Sequence, residues 1–161
     1  MKQFFYAFLL IAFSVTFSAC PYDSSVPIDS PSVKVDAKLF GTWKTSDSED
    51  TRYKIDQKDD YTYSVLKKTK GSSDEKYLAY VSVINGINFL NVCSDDADNA
   101  SSKTFYLYRL EIKGPETITL MELTENIDEE FNTSEELKKF IASNMGNSYF
   151  YEKSEEILTK Q

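Results

Sequence analysis

The 161-residue chain contains no histidine. This absence excludes Ser-His and Cys-His nucleophilic catalysis, zinc sites with histidine ligands and acid–base catalysis by imidazole. Carboxyl groups remain available, but the 26 acidic residues form many accidental pairs and the sequence distinguishes none of them. We therefore predict no catalytic residue and no enzyme. An enzyme would instead show a cleft that holds an Asp or Glu of raised pKa.

Basic residues are scarce relative to acidic ones, 18 against 26, and the net charge is −8. Nucleic acids and anionic lipid headgroups bind basic patches, so we expect neither as a direct partner. The acidic loop Asp95-Asp96-Ala97-Asp98-Asn99 offers oxygen ligands for calcium. It does not fit the EF-hand pattern, because Leu107 stands where a bidentate glutamate is needed. We expect no metal and no cofactor.

Only two cysteines are present, Cys20 and Cys93, and their surroundings differ. Cys93 ends the apolar run Ile87–Cys93, where a small buried side chain is expected. Cys20 follows an apolar run of fourteen residues, Phe4–Phe17, and two small residues. That run is short for a bilayer-spanning helix, which needs roughly 20 residues, and is typical of a secretory signal.

Residues 1–20 resemble the bacterial lipoprotein signal, Leu-Ala/Ser-Gly/Ala-Cys, with Phe17 in place of the leucine. The resemblance implies a diacylglyceryl thioether on Cys20, cleavage before it and acylation of the new amino terminus. Several acyl chains give a stable membrane anchor, whereas a single chain binds only marginally. Pro21 rather than Asp follows Cys20, which favours the outer membrane of the bacterial cell envelope. An ordinary secreted protein cleaved nearby is the alternative.

The predicted organisation has three parts. Residues 1–19 are the signal peptide. Residues 20–35 are the lipidated cysteine and a flexible tether, because they hold three of the four prolines and lack apolar periodicity. Residues 36–161 form one domain. Removal of residues 1–19 takes away one charge, Lys2, and leaves 17 basic and 26 acidic residues with a net charge of −9.

From residue 41 onward, apolar and polar residues alternate in short runs, which is typical of β-strands. Asn85-Gly86 separates two such runs and suits the two-residue loop of a type I′ hairpin. Both faces of this hairpin are apolar, so we expect a layer packed outside it. A capping box at Thr133–Glu136 then starts an amphipathic helix. The sequence predicts a mostly β, antiparallel up-and-down barrel of about seven to eight strands with one C-terminal helix packed outside; a sandwich is the alternative.

The segment Leu39-Phe40-Gly41-Thr42-Trp43 is similar to the Gly-x-Trp start of lipocalin-like (calycin) domains. The resemblance covers roughly residues 36–161. It implies an eight-stranded barrel, a C-terminal helix, Trp43 plugging the base, and an interior able to hold a small apolar molecule. The family also places a late arginine over this tryptophan, whereas Arg52 and Arg109 lie outside the last predicted strand. Residues 105–145 also resemble small bacterial envelope lipoproteins, which implies no particular activity.

Aromatic side chains are the candidate ligand-binding residues, because a tyrosine inside a barrel offers an apolar wall with a polar tip. The candidates are Trp43, Tyr61, Tyr63, Tyr106 and Tyr108; core packing is the alternative role of each.

The favoured function is a membrane-anchored, non-enzymatic envelope lipoprotein that binds a small apolar ligand or a protein. The alternative is a structural or inhibitory interaction module with a filled core, which would act through an exposed loop such as 94–102. An apolar cavity above roughly 300 Å³ would favour the first function, and a filled interior the second.

Overall fold

A computed structural model of the protein describes residues 22–95, 103–124 and 127–161. The strands in this part of the chain are β1 (Asp23–Ser24), β2 (Gly41–Thr45), β3 (Thr51–Gln57), β4 (Tyr63–Thr69), β5 (Glu75–Ile84), β6 (Ile87–Ser94), β7 (Phe105–Ile112), β8 (Thr117–Glu122) and β9 (Glu156–Lys160). One α-helix, α1 (Ser134–Asn144), lies between β8 and β9, and 3-10 turns span Ala37–Leu39 and Ser148–Phe150.

Strands β2 to β9 close into an eight-stranded barrel. Each strand pairs antiparallel with the next along the chain, and β9 pairs with both β8 and β2. At the closure, Trp43 lies opposite Lys160 and Ile118 lies opposite Leu158. The prediction of a mostly β, up-and-down barrel with a helix outside is confirmed.

The β5–β6 hairpin has the predicted loop. Asn85 and Gly86 have φ angles of 50° and 82°, and Ile84 and Ile87 pair on either side. Two consecutive positive φ angles are the requirement of a type I′ turn, whose twist matches that of the strands it joins.

Two hydrophobic cores lie on opposite sides of the barrel wall. Inward-facing residues such as Trp43, Ile55 and Leu110 form the interior core. Outside, α1 and the N-terminal segment pack on β5, β6 and β7, where Phe89 and Leu107 are fully buried. The expected two-sided burial of the hairpin is therefore present, since successive residues of a strand point to opposite faces.

Helix α1 begins as its capping box predicts. The Thr133 hydroxyl accepts a hydrogen bond from the Glu136 amide at 3.3 Å. Leu137 and Ile141, one turn apart, are fully buried in the outer core. Within the described ranges, no helix has the length and hydropathy needed to cross a membrane.

Residues 22–35, which fall within the predicted tether over 20–35, pack against the barrel. β1 pairs with the first residues of β7. Ile28 is fully buried, and its amide donates to Asn91 Oδ1 at 2.8 Å. Val35 packs against the interior core. Proline and serine content predicted a segment without regular structure, but it carries no information about contacts with strands that follow much later in the chain.

A partly buried polar network fastens this segment to β5, β6 and α1. Asn91 accepts from Ile28 and donates to Ser82 Oγ at 2.9 Å. Ser82 donates to Asp29, and Asp29 pairs with Lys138 of α1 at 2.7 Å. We call Asn91, Ser82, Asp29 and Lys138 the Asn91 network.

Candidate functional site

The barrel encloses a cavity of about 300 Å³. Its wall is mainly apolar and includes Ile55, Val65, Leu90, Ile118 and Leu158. These residues come from five different strands, so the cavity is part of the barrel interior rather than a groove on its surface. A mainly apolar space of this size can remove a small hydrocarbon group from water.

One end of the cavity is closed by the chain before β2. Leu39 lies in the wall, and the Trp43 indole N–H donates to its carbonyl oxygen at 2.9 Å. Lys160 Nζ lies 5.3 Å from the centre of the Trp43 ring and donates to the Lys38 carbonyl at 2.9 Å. We call this the tryptophan end. A cation therefore covers the tryptophan, but it is a lysine of the last strand, which a search for arginine misses.

Gly41 is required at this end for a steric reason. Its φ is +125°, and a Cβ there would lie 3.0 Å from Lys160 Cε. Any side chain would be strained in this conformation, and Lys160 Cε would have to shift by a few tenths of an ångström to make room for its Cβ.

The predicted aromatic residues occupy different places. Tyr63, Tyr106 and Tyr108 line the cavity, and Tyr63 Oη accepts from the amide of Asp36 at the tryptophan end. Trp43 is buried below the cavity without lining it, and Tyr61, 39% exposed, lies in the β3–β4 connection outside the wall. A ligand-binding role for the five residues stays a prediction.

Three glutamates mark the opposite end of the barrel. β5 begins at Glu75, β8 ends at Glu122 and β9 begins at Glu156. Because neighbouring strands are antiparallel, these three points lie at the same end, which we call the acidic end. Glu156 lines the cavity, and Glu122 follows the wall residue Leu120 by two positions, on the same face of β8.

The negative charge of Glu75 is balanced by an ion pair and a hydrogen bond at the acidic end. Lys67 Nζ lies 3.0 Å from Glu75 Oε1, and the Tyr77 hydroxyl donates to Oε2. The Tyr77 hydrogen bond, and then Lys67, lower the pKa of Glu75. This carboxylate is therefore stabilised in its charged form.

Glu156 is in a different electrostatic environment. Burial is the main cause that raises the pKa of Glu156 above its ordinary value. The nearby hydroxyls of Tyr53 and Thr45 and the charge of Lys67 act in the opposite direction, while Asp47 adds to the rise. The charged form of Glu156 is therefore only partly compensated.

Glu122 shows the same behaviour. Burial raises the pKa of Glu122, the Tyr108 hydroxyl opposes the rise, and the charges of Glu152 and Glu156 add to it. Burial and then the charge of Glu122 raise the pKa of Tyr108. In the part of the chain that the structure describes, neither Glu122 nor Glu156 forms an ion pair.

The glutamates were missed at the level of sequence, although a signal for two of them was present. Ile118 and Leu120 lie on the inward face of β8. Glu122, two positions after Leu120, is the next residue on that face. In the same way, Glu156 lies two positions before the wall residue Leu158 on β9, on the same face. Extending the inward face of each strand to its terminal residue at this end predicts both glutamates on that face.

The described residues also include acidic side chains and one thiol outside the barrel interior. No group of three or more Asp, Glu, Cys or His side chains in these residues is arranged to hold a metal ion. Of the acidic loop considered for calcium, only Asp95 is described, and it pairs with Lys58 at 3.1 Å. Cys93 is buried, as expected, and burial raises the pKa of its thiol.

Comparison of the chain with models of known protein families, with curated proteins and with solved structures gave no match. No family or relative therefore assigns a function to the cavity.

Proposed function

We propose that the chain is a lipid-anchored lipoprotein of the bacterial cell envelope, at the outer membrane, whose barrel binds a small, mainly apolar molecule. The cavity carries the binding part of this proposal. Its volume of about 300 Å³ lies at the lower end of the roughly 300–1,000 Å³ of small-molecule sites, which are lined chiefly by apolar side chains. The lipid anchor on Cys20 rests on the sequence of residues 1–20.

We further propose that the domain is lipocalin-like. The closed barrel, the helix outside it, and Trp43 beneath a cation at one end support this relationship. The proposed ligand site is the barrel interior, as the resemblance implies.

A second candidate function is acid–base catalysis by Glu122 and Glu156. A carboxyl of raised pKa in a cavity is the feature that we expected of an enzyme. Glu156 lines the cavity and fits this description, and Glu122, two positions after the wall residue Leu120, also has a raised pKa. We rank binding first because removal of any carboxyl from water raises its pKa, and because most of the wall is apolar.

The interaction-module alternative has less support. It assumes a filled core, whereas the interior contains a cavity. Most of the loop through which it would act, residues 96–102, lies outside the described residues.

Decanol, a neutral molecule with one alkyl chain, tests the binding function. Ala79 lines the cavity and is 2% exposed, so Ala79→Leu adds carbon atoms inside it. Ala37→Leu adds the same atoms at an exposed position and is the control. Calorimetry should show decanol binding with a negative heat-capacity change, and Ala79→Leu should weaken it about tenfold or more.

The protein used is the chain from residue 20 with Cys20→Ser, which keeps every described residue. Circular dichroism first establishes that each variant is folded. Failure of decanol to bind, or equal binding by the Ala79→Leu and Ala37→Leu variants, would contradict ligand binding in the cavity.

A further inference from the structure

The two ends of the cavity differ in polarity. Leu39 and the buried Trp43 close the tryptophan end. At the acidic end, the hydroxyl-bearing residues Tyr53 and Tyr108 lie in the wall beside Glu156. A molecule inside would therefore have one apolar and one polar environment along its length.

The polar end has an excess of negative charge. Lys67 is 3.0 Å from Glu75, so this pair is neutral. Glu122 and Glu156 add two carboxyls that have no ion pair in the described residues. Both are half-buried, which makes their interaction with a bound charge stronger than in bulk water.

We propose that the ligand is a cationic amphiphile, with an alkyl chain toward Trp43 and a protonated amine head between Glu122 and Glu156. This inference rests on the proposed binding function and specifies its ligand class. An ammonium head supplies the positive charge that the two carboxyls lack, and its N–H groups can donate to them. A carboxylate or phosphate head would instead meet two like charges.

The volume limits the length of the chain. A cavity of about 300 Å³ lies at the lower end of the range for small-molecule sites, so we expect a ligand with a single alkyl chain of medium length. Decylamine, decanoate and decanol match this size and differ only in the head group.

Calorimetric titration with these three compounds at about pH 8 tests the inference, since the amine is then protonated and the carboxylate ionised. We expect decylamine to bind about tenfold or more tightly than decanoate, with decanol between them. Glu156→Gln should reduce the preference for decylamine over decanoate severalfold, because it removes one of the two carboxylates.

Glu155→Gln is the matched control. Glu155 is the neighbouring residue, but it is exposed and lies 3.9 Å from Lys113 on the outside. This substitution should leave the ratio of decylamine to decanoate affinity as it is. If both glutamine variants changed the ratio equally, the effect would be one of net charge and not of the site.

The outcomes separate the two proposals. If decanol binds and decylamine shows no preference over decanoate, the cationic ligand is overturned while cavity binding stands. If none of the three compounds binds, cavity binding itself is overturned.

Discussion

At the residue scale, Glu156 combines a structural cost with a candidate binding role. It faces the cavity, and burial raises its pKa above the ordinary value of 4.5. The folded chain therefore holds this proton more tightly than the unfolded chain. By linkage, the cost of charging Glu156 is absent below about pH 4.5, grows as the pH rises through the raised folded value, and is complete above it.

The pH dependence of stability can isolate this cost. We expect Glu156→Gln to increase the free energy of unfolding at neutral pH, because it removes the penalty of a buried charge, and to change it little below about pH 4.5. Urea unfolding over a pH series measures the free energy of unfolding at neutral pH and below about pH 4.5. Glu155→Gln is at the exposed neighbouring position. Its free energy of unfolding should differ from that of the unsubstituted chain by an amount that varies less with pH. A constant difference between the unsubstituted chain and Glu156→Gln would contradict the shifted pKa.

At the element scale, the N-terminal segment depends on a few buried polar contacts. The Asn91 side chain is fully buried and bonds to the amide of Ile28, which lies 63 residues earlier in the chain. Asn91→Leu keeps a similar volume but leaves that amide and the Ser82 hydroxyl without this partner. Each buried group left unsatisfied costs about 1–3 kcal/mol.

Hydrogen exchange tests this role of Asn91. In Asn91→Leu we expect faster exchange of the amides in residues 22–35, while those of the β3–β4 pair stay protected. Asn132→Ala, an exposed amide removed from the surface, should change neither region. Equal protection of residues 22–35 in both variants would show that the network does not hold the segment.

The same elements show what sequence could predict. Alternation and the Asn85-Gly86 loop are local signals, so the strands and the hairpin followed from neighbours in the chain. The position of Ile28 against Asn91 depends on two distant segments, and no local pattern encodes it. The cavity was anticipated only as a possibility, because its volume depends on how side chains from many strands fill the interior. The position of Lys160 over Trp43 likewise depends on pairing of the first and last barrel strands, which no local pattern encodes.

At the scale of the whole molecule, the two cysteines should differ completely in their effect on location. Cys93 is buried in the outer core, and Cys20 is the predicted site of lipid attachment. We expect Cys20→Ser, in the full chain produced in bacteria, to remove acyl groups and shift the protein out of the membrane fraction. The Cys93→Ser variant should keep its acyl groups and stay in the membrane fraction. Mass spectrometry of the purified protein and fractionation of the cells give the measurement, and a membrane-bound Cys20→Ser protein free of lipid would contradict the anchor.

The packing of residues 22–35 has a consequence for orientation at the membrane. Tyr22 is already buried, and Asp23 pairs with Tyr106 where β7 begins, at the acidic end of the barrel. Cys20 is two residues from Tyr22, which corresponds to about 7 Å of extended chain. A lipid on Cys20 would thus restrict the rotation of the domain and hold one particular end of the barrel near the bilayer surface. The anchor would then determine which end of the barrel an amphiphile from the bilayer reaches first, and it would also determine the compartment in which the protein binds it.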